Sequence, residues 1–220
     1  MKKIFISGAA GFIGSHLAEF LHDKYFNYKF ILYDKVTYAG NKKFLSSIIR
    51  SKRVKFFKKD LIDFKSLNLC LKNIDIAINV AAESHVDNSF GNSLLFTKTN
   101  TLGTHSFLEA CRMNKVKKII HVSTDEVYGE NKGISFKENK SLENGPHSSC
   151  SNMYSSLITY FKNSRFKSFE LYSPLNQWSF EGRLRTGTSS SRIYFKERRV
   201  TSGIIPSKST IAIFSFSEKV

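Results

Sequence analysis

Three side chains able to bind or move protons stand side by side in Ser123-Thr124-Asp125-Glu126-Val127-Tyr128-Gly129. A hydroxyl beside two adjacent carboxyls suits general acid–base work, provided that their surroundings keep one carboxyl protonated and the other ionised. The segment follows the apolar run Ile119-Ile120-His121-Val122, so it falls at the carboxyl end of a strand, where open α/β sheets bind ligands. Taken alone, it also fits a polar turn without chemistry.

A second group of residues makes room for phosphates. Glycines fall at 8, 11 and 14 in Ile4-Phe5-Ile6-Ser7-Gly8-Ala9-Ala10-Gly11-Phe12-Ile13-Gly14. The first lets the chain turn tightly, the second lets the backbone approach a pyrophosphate, and the third lets a helix pack close to the strand. The start of that helix then offers free N–H groups and a partial positive charge. An ordinary glycine-rich strand–helix turn has a similar composition, and Asp34 separates the two readings. It ends the strand-like run Phe30-Ile31-Leu32-Tyr33, twenty residues after Gly14. A dinucleotide-binding unit places there the acid that accepts hydrogen bonds from the adenosine ribose. Met1-Lys2-Lys3 and the apolar residues behind them imitate a secretion signal. The glycines break that run, and an amphipathic helix follows, with Leu17, Phe20 and Leu21 inward and Glu19 and Asp23 outward.

The elements that must position these residues follow in order. Lys35 to Asn41 is a polar loop expected to cover the adenosine, and a helical pattern runs around Phe44 to Ile49. Val54 to Lys58 reads as a third strand. Asp60 then lies at the sheet edge near the adenine, caps the helix carrying Leu61, Phe64, Leu67 and Leu71, or does both. Ile74 to Val80 is the fourth strand, and the small Ala81 and Ala82 leave room for pyrophosphate and ribose. Leu94 to Met113 is a long helical segment, and Ile119 to Ser123 is the fifth strand. Strands alternating with helices predict an α/β fold, a Rossmann-like doubly wound parallel sheet with helices on both faces.

Composition narrows the classes. The 220 residues, 41% hydrophobic and 14% aromatic, are enough for one large core. The net charge of +16 is spread along the chain without a long single-sign block, so a nucleic-acid-binding module is the weakest of the readings. A basic surface also suits an anionic cofactor and substrate. Cys70, Cys111 and Cys150 are far apart, with no metal-ligand spacing, which points to reduced thiols, no metal site and a cytoplasmic setting. No apolar run has membrane-spanning length.

Together these segments closely resemble an extended short-chain dehydrogenase/reductase of the dTDP-glucose 4,6-dehydratase type. The matching residues are Gly8 to Gly14, Asp34 to Asn41, Ala81-Ala82-Glu83-Ser84-His85-Val86-Asp87, Asn100 with Gly103-Thr104, and Ser123 to Gly129. Related nucleotide-sugar epimerases share the glycines but usually lack the adjacent Asp-Glu. The resemblance implies NAD as cofactor and dTDP-glucose or UDP-glucose as substrate, converted to the 4-keto-6-deoxy sugar, in a homodimer. It implies that Gly8, Gly11 and Gly14 cradle the pyrophosphate, Asp34 holds the ribose, Asp60 and Leu61 lie by the adenine, and Ala81, Ala82 and Ser84 line the cofactor. Phe12, Ile13, Lys35, Thr37 and Asn100 complete the cofactor-binding set. Thr124 would bind the sugar's 4-hydroxyl, Glu126 would remove the C5 proton, and Asp125 would protonate the departing C6 hydroxyl.

The resemblance weakens after about residue 145. The family's Tyr-x-x-x-Lys pair is missing: Pro146-His147-Ser148-Ser149-Cys150-Ser151 puts His147 at the tyrosine position and Ser151 at the lysine position. Beyond 145, eleven Lys and Arg face four Glu, serine and arginine become common, and clear strand–helix alternation stops. Residues 1–145 are therefore expected to form the NAD-binding Rossmann domain. Residues 146–220 are expected to be a diverged or frameshifted remnant of the catalytic helix and substrate domain, poorly ordered rather than a compact second domain. An NAD-binding pseudoenzyme with the same fold, or a nucleotide-sugar epimerase relative, is the alternative reading.

Overall fold

The computed structural model describes residues 1–83, 91–122, 169–172, 193–198 and 211–216, the last three stretches as backbone. The elements are β1 (Lys2–Ser7), α1 (Phe12–Lys24), β2 (Tyr28–Asp34), a 3-10 turn (Lys42–Leu45), β3 (Val54–Lys58), α2 (Phe64–Cys70) and β4 (Ile76–Asn79). Then come α3 (Ser93–Phe96), a π-helical stretch (Thr97–Gly103), α4 (Thr104–Met113), β5 (Lys118–Val122), β6 (Phe169–Tyr172), β7 (Ile193–Arg198) and β8 (Ile211–Phe216).

Strands β1 to β6 form one parallel sheet in the order β3-β2-β1-β4-β5-β6. The order reverses between β1 and β4, and that topological switch point is where doubly wound sheets open a crevice beyond their carboxyl ends. Alternation along the strands feeds both faces. Phe5 and Tyr33 point to one face, their rings 5.5 Å apart, and Phe5 also stacks 6.0 Å from Phe107 of α4. Leu67, Leu71, Leu108, Cys111 and Ile119 complete this buried layer with α2 and α4. Phe30 points to the other face, where its ring lies 5.8 Å from His22 of α1. The sheet is thus sandwiched between α1 and the α2/α4 pair, as expected for a doubly wound fold.

Several boundaries differ from the sequence reading. The helical pattern around Phe44 to Ile49 resolves into the 3-10 turn Lys42–Leu45, capped by the Asn41 side chain, which accepts from the Lys43 N–H at 2.9 Å. Leu45 and Ile48 still bury, so the apolar spacing recorded burial without a full helix. The cap of α2 is Asp63, whose carboxylate accepts from the Ser66 N–H at 3.1 Å, and not Asp60. Asp60 instead closes the turn before it, accepting from the Ile62 N–H at 3.2 Å. Ser66 holds the Asp63 carboxyl below its usual range, with Lys59 assisting.

The sheet also runs past the expected boundary at 145. β6 pairs with β5 from Ile119 opposite Phe169 to Val122 opposite Tyr172. The chain divides into units Met1–Asn176 and Gln177–Val220. The second unit contains the antiparallel pair β7–β8, with Ile193 opposite Phe216 and Arg198 opposite Ile211. Among the described residues no helix is long and apolar enough to cross a membrane.

A chain cut after Asn176 keeps all six strands, whereas one cut after residue 145 loses β6 and bares the edge of β5. The 1–176 fragment is expected to unfold at a higher urea concentration than the 1–145 fragment. Equal midpoints would show that β6 adds nothing to the fold.

Candidate cofactor site

The glycine loop sits at the switch point and is built on close backbone contacts. Gly8 has φ +69°, in the left-handed region that favours glycine. A Cβ there would lie 2.7 Å from the Ala81 nitrogen and 2.9 Å from the Val80 carbonyl carbon. A Cβ on Gly14 would collide with the Gly8 carbonyl oxygen and lie 2.8 Å from its carbon. Gly11 donates to the Gly8 carbonyl at 3.1 Å and accepts from the Ser15 N–H at 2.9 Å. Gly11 is also the N-cap of α1 and offers no side chain to the first turn. The first N–H groups of α1 therefore face outward with the positive end of the helix dipole, a ready anion site. Phe12 and Ile13, both exposed, form an apolar shoulder beside it.

Asp34 ends β2 beside this loop. Its Oδ2 accepts from the Ala10 N–H at 2.8 Å and its Oδ1 from the Val36 N–H at 2.6 Å. Each oxygen keeps a further lone pair for a ligand hydroxyl. Gly40 donates to the Thr37 carbonyl at 3.1 Å, turning the loop back, and Asn41 donates to the Ala10 carbonyl at 2.8 Å. The loop expected to cover the adenosine is thus fastened to the glycine turn. Lys35 points to Asp60, with Nζ 2.6 Å from Oδ2.

Beneath the loop lies a buried polar row that the sequence reading did not single out. Ser7 is opposite Asn79 across β1 and β4, and Asn79 is opposite His121 across β4 and β5. All three are buried. Asn79 Oδ1 accepts from the Ser7 hydroxyl at 2.5 Å and the Ala81 N–H at 3.3 Å. Its amide nitrogen therefore faces His121 Nδ1 at 3.1 Å and Thr104 Oγ1 at 3.5 Å. An amide N–H can only donate, so Nδ1 accepts and the proton of the neutral ring sits on Nε2. Burial holds the His121 imidazole down to about 3. The signal in the sequence is a polar residue at the end of, or inside, each apolar strand run.

The strand β4 loop is fixed from a second side. The Asn100 side chain, on the π-helical stretch, accepts from the Glu83 N–H at 2.8 Å and donates to the Glu83 carbonyl at 3.0 Å. The buried Glu83 carboxylate takes the Tyr38 hydroxyl at 3.1 Å, linking this loop to the one after β2. Leu61 is buried in the α2/α4 layer, with Ala81 packed against it. Ser84, Thr124, Asp125, Glu126, His147, Cys150 and Ser151 lie outside the described residues.

The family model described as GDP-mannose 4,6 dehydratase matches residues 5–180. The chain belongs to this family. Within the GDP-mannose 4,6 dehydratase family, it is 50% identical over 131 residues to a dTDP-D-glucose 4,6-dehydratase of Dictyostelium discoideum, covering 59% of this chain and 30% of that protein. It is 40% identical over 139 residues to the human dTDP-D-glucose 4,6-dehydratase, covering 62% of this chain and 40% of that one. Its fold matches the crystal structure of the dTDP-glucose 4,6-dehydratase DesIV from Streptomyces venezuelae, solved with NAD bound, with a TM-score of 0.68 and 32% identity, covering 80% of this chain and 58% of the other. The chain thus spans about a third of the length of these curated relatives.

Two outcomes follow for this dehydratase-family chain. Gly14→Ala must push the start of α1 off the Gly8 carbonyl, and is expected to cost about 2 kcal/mol or more in urea denaturation; a neutral result would mean the helix can shift freely. His121 takes up a proton near pH 6.5 when unfolded and near 3 when folded. Stability is therefore lost as pH falls through that window, with a slope of up to about 1.4 kcal/mol per pH unit. His121→Gln is expected to flatten this acid limb, and an unchanged slope would contradict a buried neutral ring.

Proposed function

We propose that this chain is an NAD-dependent nucleotide-sugar 4,6-dehydratase in lineage, with the cofactor site intact and slow turnover as the chain stands. The observation that carries the cofactor half is the glycine cradle at the β1/β4 switch point. Its contacts leave no room for a Cβ on Gly8 or Gly14, and it presents the uncapped start of α1. That arrangement fits a pyrophosphate. Asp34, fixed by two backbone N–H groups, fits a ribose diol. Bound NAD would supply an acceptor for a hydride, one proton with two electrons, and return it later in the cycle.

The catalytic half rests on the sequence. Thr124 would hydrogen-bond the sugar's 4-hydroxyl. Glu126 would take the C5 proton, which is acidic once C4 is a ketone. Asp125 would protonate the departing C6 oxygen. These two carboxyls serve elimination alone, and the preceding oxidation needs a base for the 4-hydroxyl. His147 stands at the position of the family's tyrosine, and Ser151 in place of its lysine. Loss of a positioned acid–base group costs on the order of 10²–10⁴ in rate. The substrate class proposed is a nucleoside diphosphoglucose, dTDP- or UDP-linked, and the names of relatives of both kinds support it.

Calorimetry is expected to show tighter binding of NAD than of NADP, because Asp34 would repel a 2′-phosphate and accept from a free 2′-hydroxyl. Tighter NADP binding would overturn the cofactor assignment. Incubated with NAD and dTDP-glucose or UDP-glucose, the chain is expected to form 4-keto-6-deoxy product at least about a hundredfold below the ~10 s⁻¹ typical of enzymes. An ordinary rate would show that another residue supplies the missing base. NAD binding with no product at all would favour the pseudoenzyme.

A further inference from the structure

Lys35 follows the acid that ends β2, and a basic side chain near that acid is what accommodates a 2′-phosphate in NADP-binding relatives of this fold. Here the side chain is turned elsewhere, with Nζ 2.6 Å from Asp60 Oδ2. Asp60 is a fixed anchor. Its Oδ1 takes the Ile62 N–H at 3.2 Å, and its carbonyl takes the hydroxyl of Tyr33 at 2.8 Å. Tyr33 is itself buried in the α2/α4 layer. The side chain of Asp60 is 23% exposed, against 50% for that of Lys35, so the carboxylate is the less mobile partner of the pair. The neighbouring Lys59 is treated alike: its main-chain N–H donates to the Asp34 carbonyl at 2.9 Å, and its Nζ lies 3.5 Å from Asp63 Oδ2. Of the lysines at the Asp34 edge, Lys35 and Lys59 are each paired with an aspartate, while Lys58 lies opposite Asp34 across β2 and β3.

We propose that the Lys35–Asp60 pair is a specificity latch. Asp60 holds Lys35 away from the ribose edge, so that discrimination against NADP depends on Asp60 as well as on Asp34. This rests on the NAD-binding reading above. To serve a 2′-phosphate, Lys35 must leave Asp60. That breaks the pair and leaves a bare carboxylate beside the extra negative charge. Replacing Asp60 by Asn removes the anchor charge while keeping the oxygen that takes the Ile62 N–H.

The test measures NAD affinity by calorimetry and NADP affinity by displacement of NAD, at low salt, on the full chain. The proteins are the wild type, Asp60→Asn, Lys35→Ala, the double variant and Asp60→Glu. The ratio of the NADP to the NAD dissociation constant is expected to fall about fivefold in Asp60→Asn, the scale of one exposed ion pair. It is expected to return to the wild-type value or above in the double variant, and to stay near wild type in Asp60→Glu. If Asp60 acted only through the adenine, Asp60→Asn would weaken both cofactors equally and the ratio would not move, which overturns the latch. A fall in the ratio that persists in the double variant overturns it too, because the gain would not come from Lys35. A wild-type chain that binds NAD but shows either pattern refutes the latch alone, whereas one that binds neither cofactor refutes the cofactor reading and the latch with it.

Discussion

The absence of two methyl-sized groups governs the architecture. At the switch point the backbone of Gly14 lies against the carbonyl of Gly8, and Gly8 against the backbone joining Val80 to Ala81. These contacts draw α1, β1 and the end of β4 to within van der Waals distance of one another. They also set the direction in which α1 leaves the sheet. A side chain at either position would push the helix start away from the strand ends and spread the phosphate-facing N–H groups. The buried Ala9 and Ala10 between them continue the same constraint, since the turn has no volume for larger residues.

Such a turn holds its shape only if the strand ends beneath it are in fixed register. Apolar packing alone supplies that weakly in β1 and β4, which are buried on both faces over most of their length, so that a slipped register would bury similar residues. The Ser7–Asn79–His121 row supplies the rest. Buried polar groups are costly unless paired, and here they pair only when those three positions lie side by side. The row sits one residue before Gly8, two before Ala81 and three before Thr124. It ties together the ends of β1, β4 and β5, from which the glycine turn, the Ala81 loop and the segment proposed to hold the sugar depart. Burial keeps His121 neutral, so the row holds no charge under the crevice.

The features legible in the sequence were those whose cause is local. Gly8, Gly11 and Gly14 announce a backbone with no space for a Cβ, and Asp34 ends its own strand. The sheet, its helices and the position of the crevice follow from that spacing and from alternation. The pairings that close the site were not legible, because they join residues far apart: Ser7 with Asn79, Asn79 with His121, Glu83 with Tyr38, Lys35 with Asp60. A sequence shows a polar residue in an apolar run, but not the partner 72 positions away that makes it tolerable. The cap of α2 was missed for a different reason. Asp60 and Asp63 are both competent caps; Asp60 lies in the preceding turn, where its carbonyl accepts from the Asp63 N–H and the Tyr33 hydroxyl, and Asp63 takes the Ser66 N–H. β6 was missed because four residues of strand carry too little alternation to stand out from a Ser/Arg-rich background.

One departure from local expectation lies beside Asp34, which two backbone N–H groups hold in place. Val36 has φ 56°, a conformation that β-branched residues rarely adopt and that costs of order 1–3 kcal/mol. Its N–H, held in the peptide plane that precedes it, donates to Asp34 Oδ1 at 2.6 Å, while the Ala10 N–H donates to Oδ2. A carboxylate gripped through both oxygens cannot rotate, so its remaining lone pairs keep one direction before any ligand arrives. The loop that imposes this is stitched to the glycine turn through Asn41 and to β4 through Tyr38 and Glu83. A charge-assisted hydrogen bond thus accompanies the strained backbone of Val36, and the carboxylate is oriented by its two N–H donors. Less ordering then remains for binding to supply, which is the physical advantage of a preorganised site.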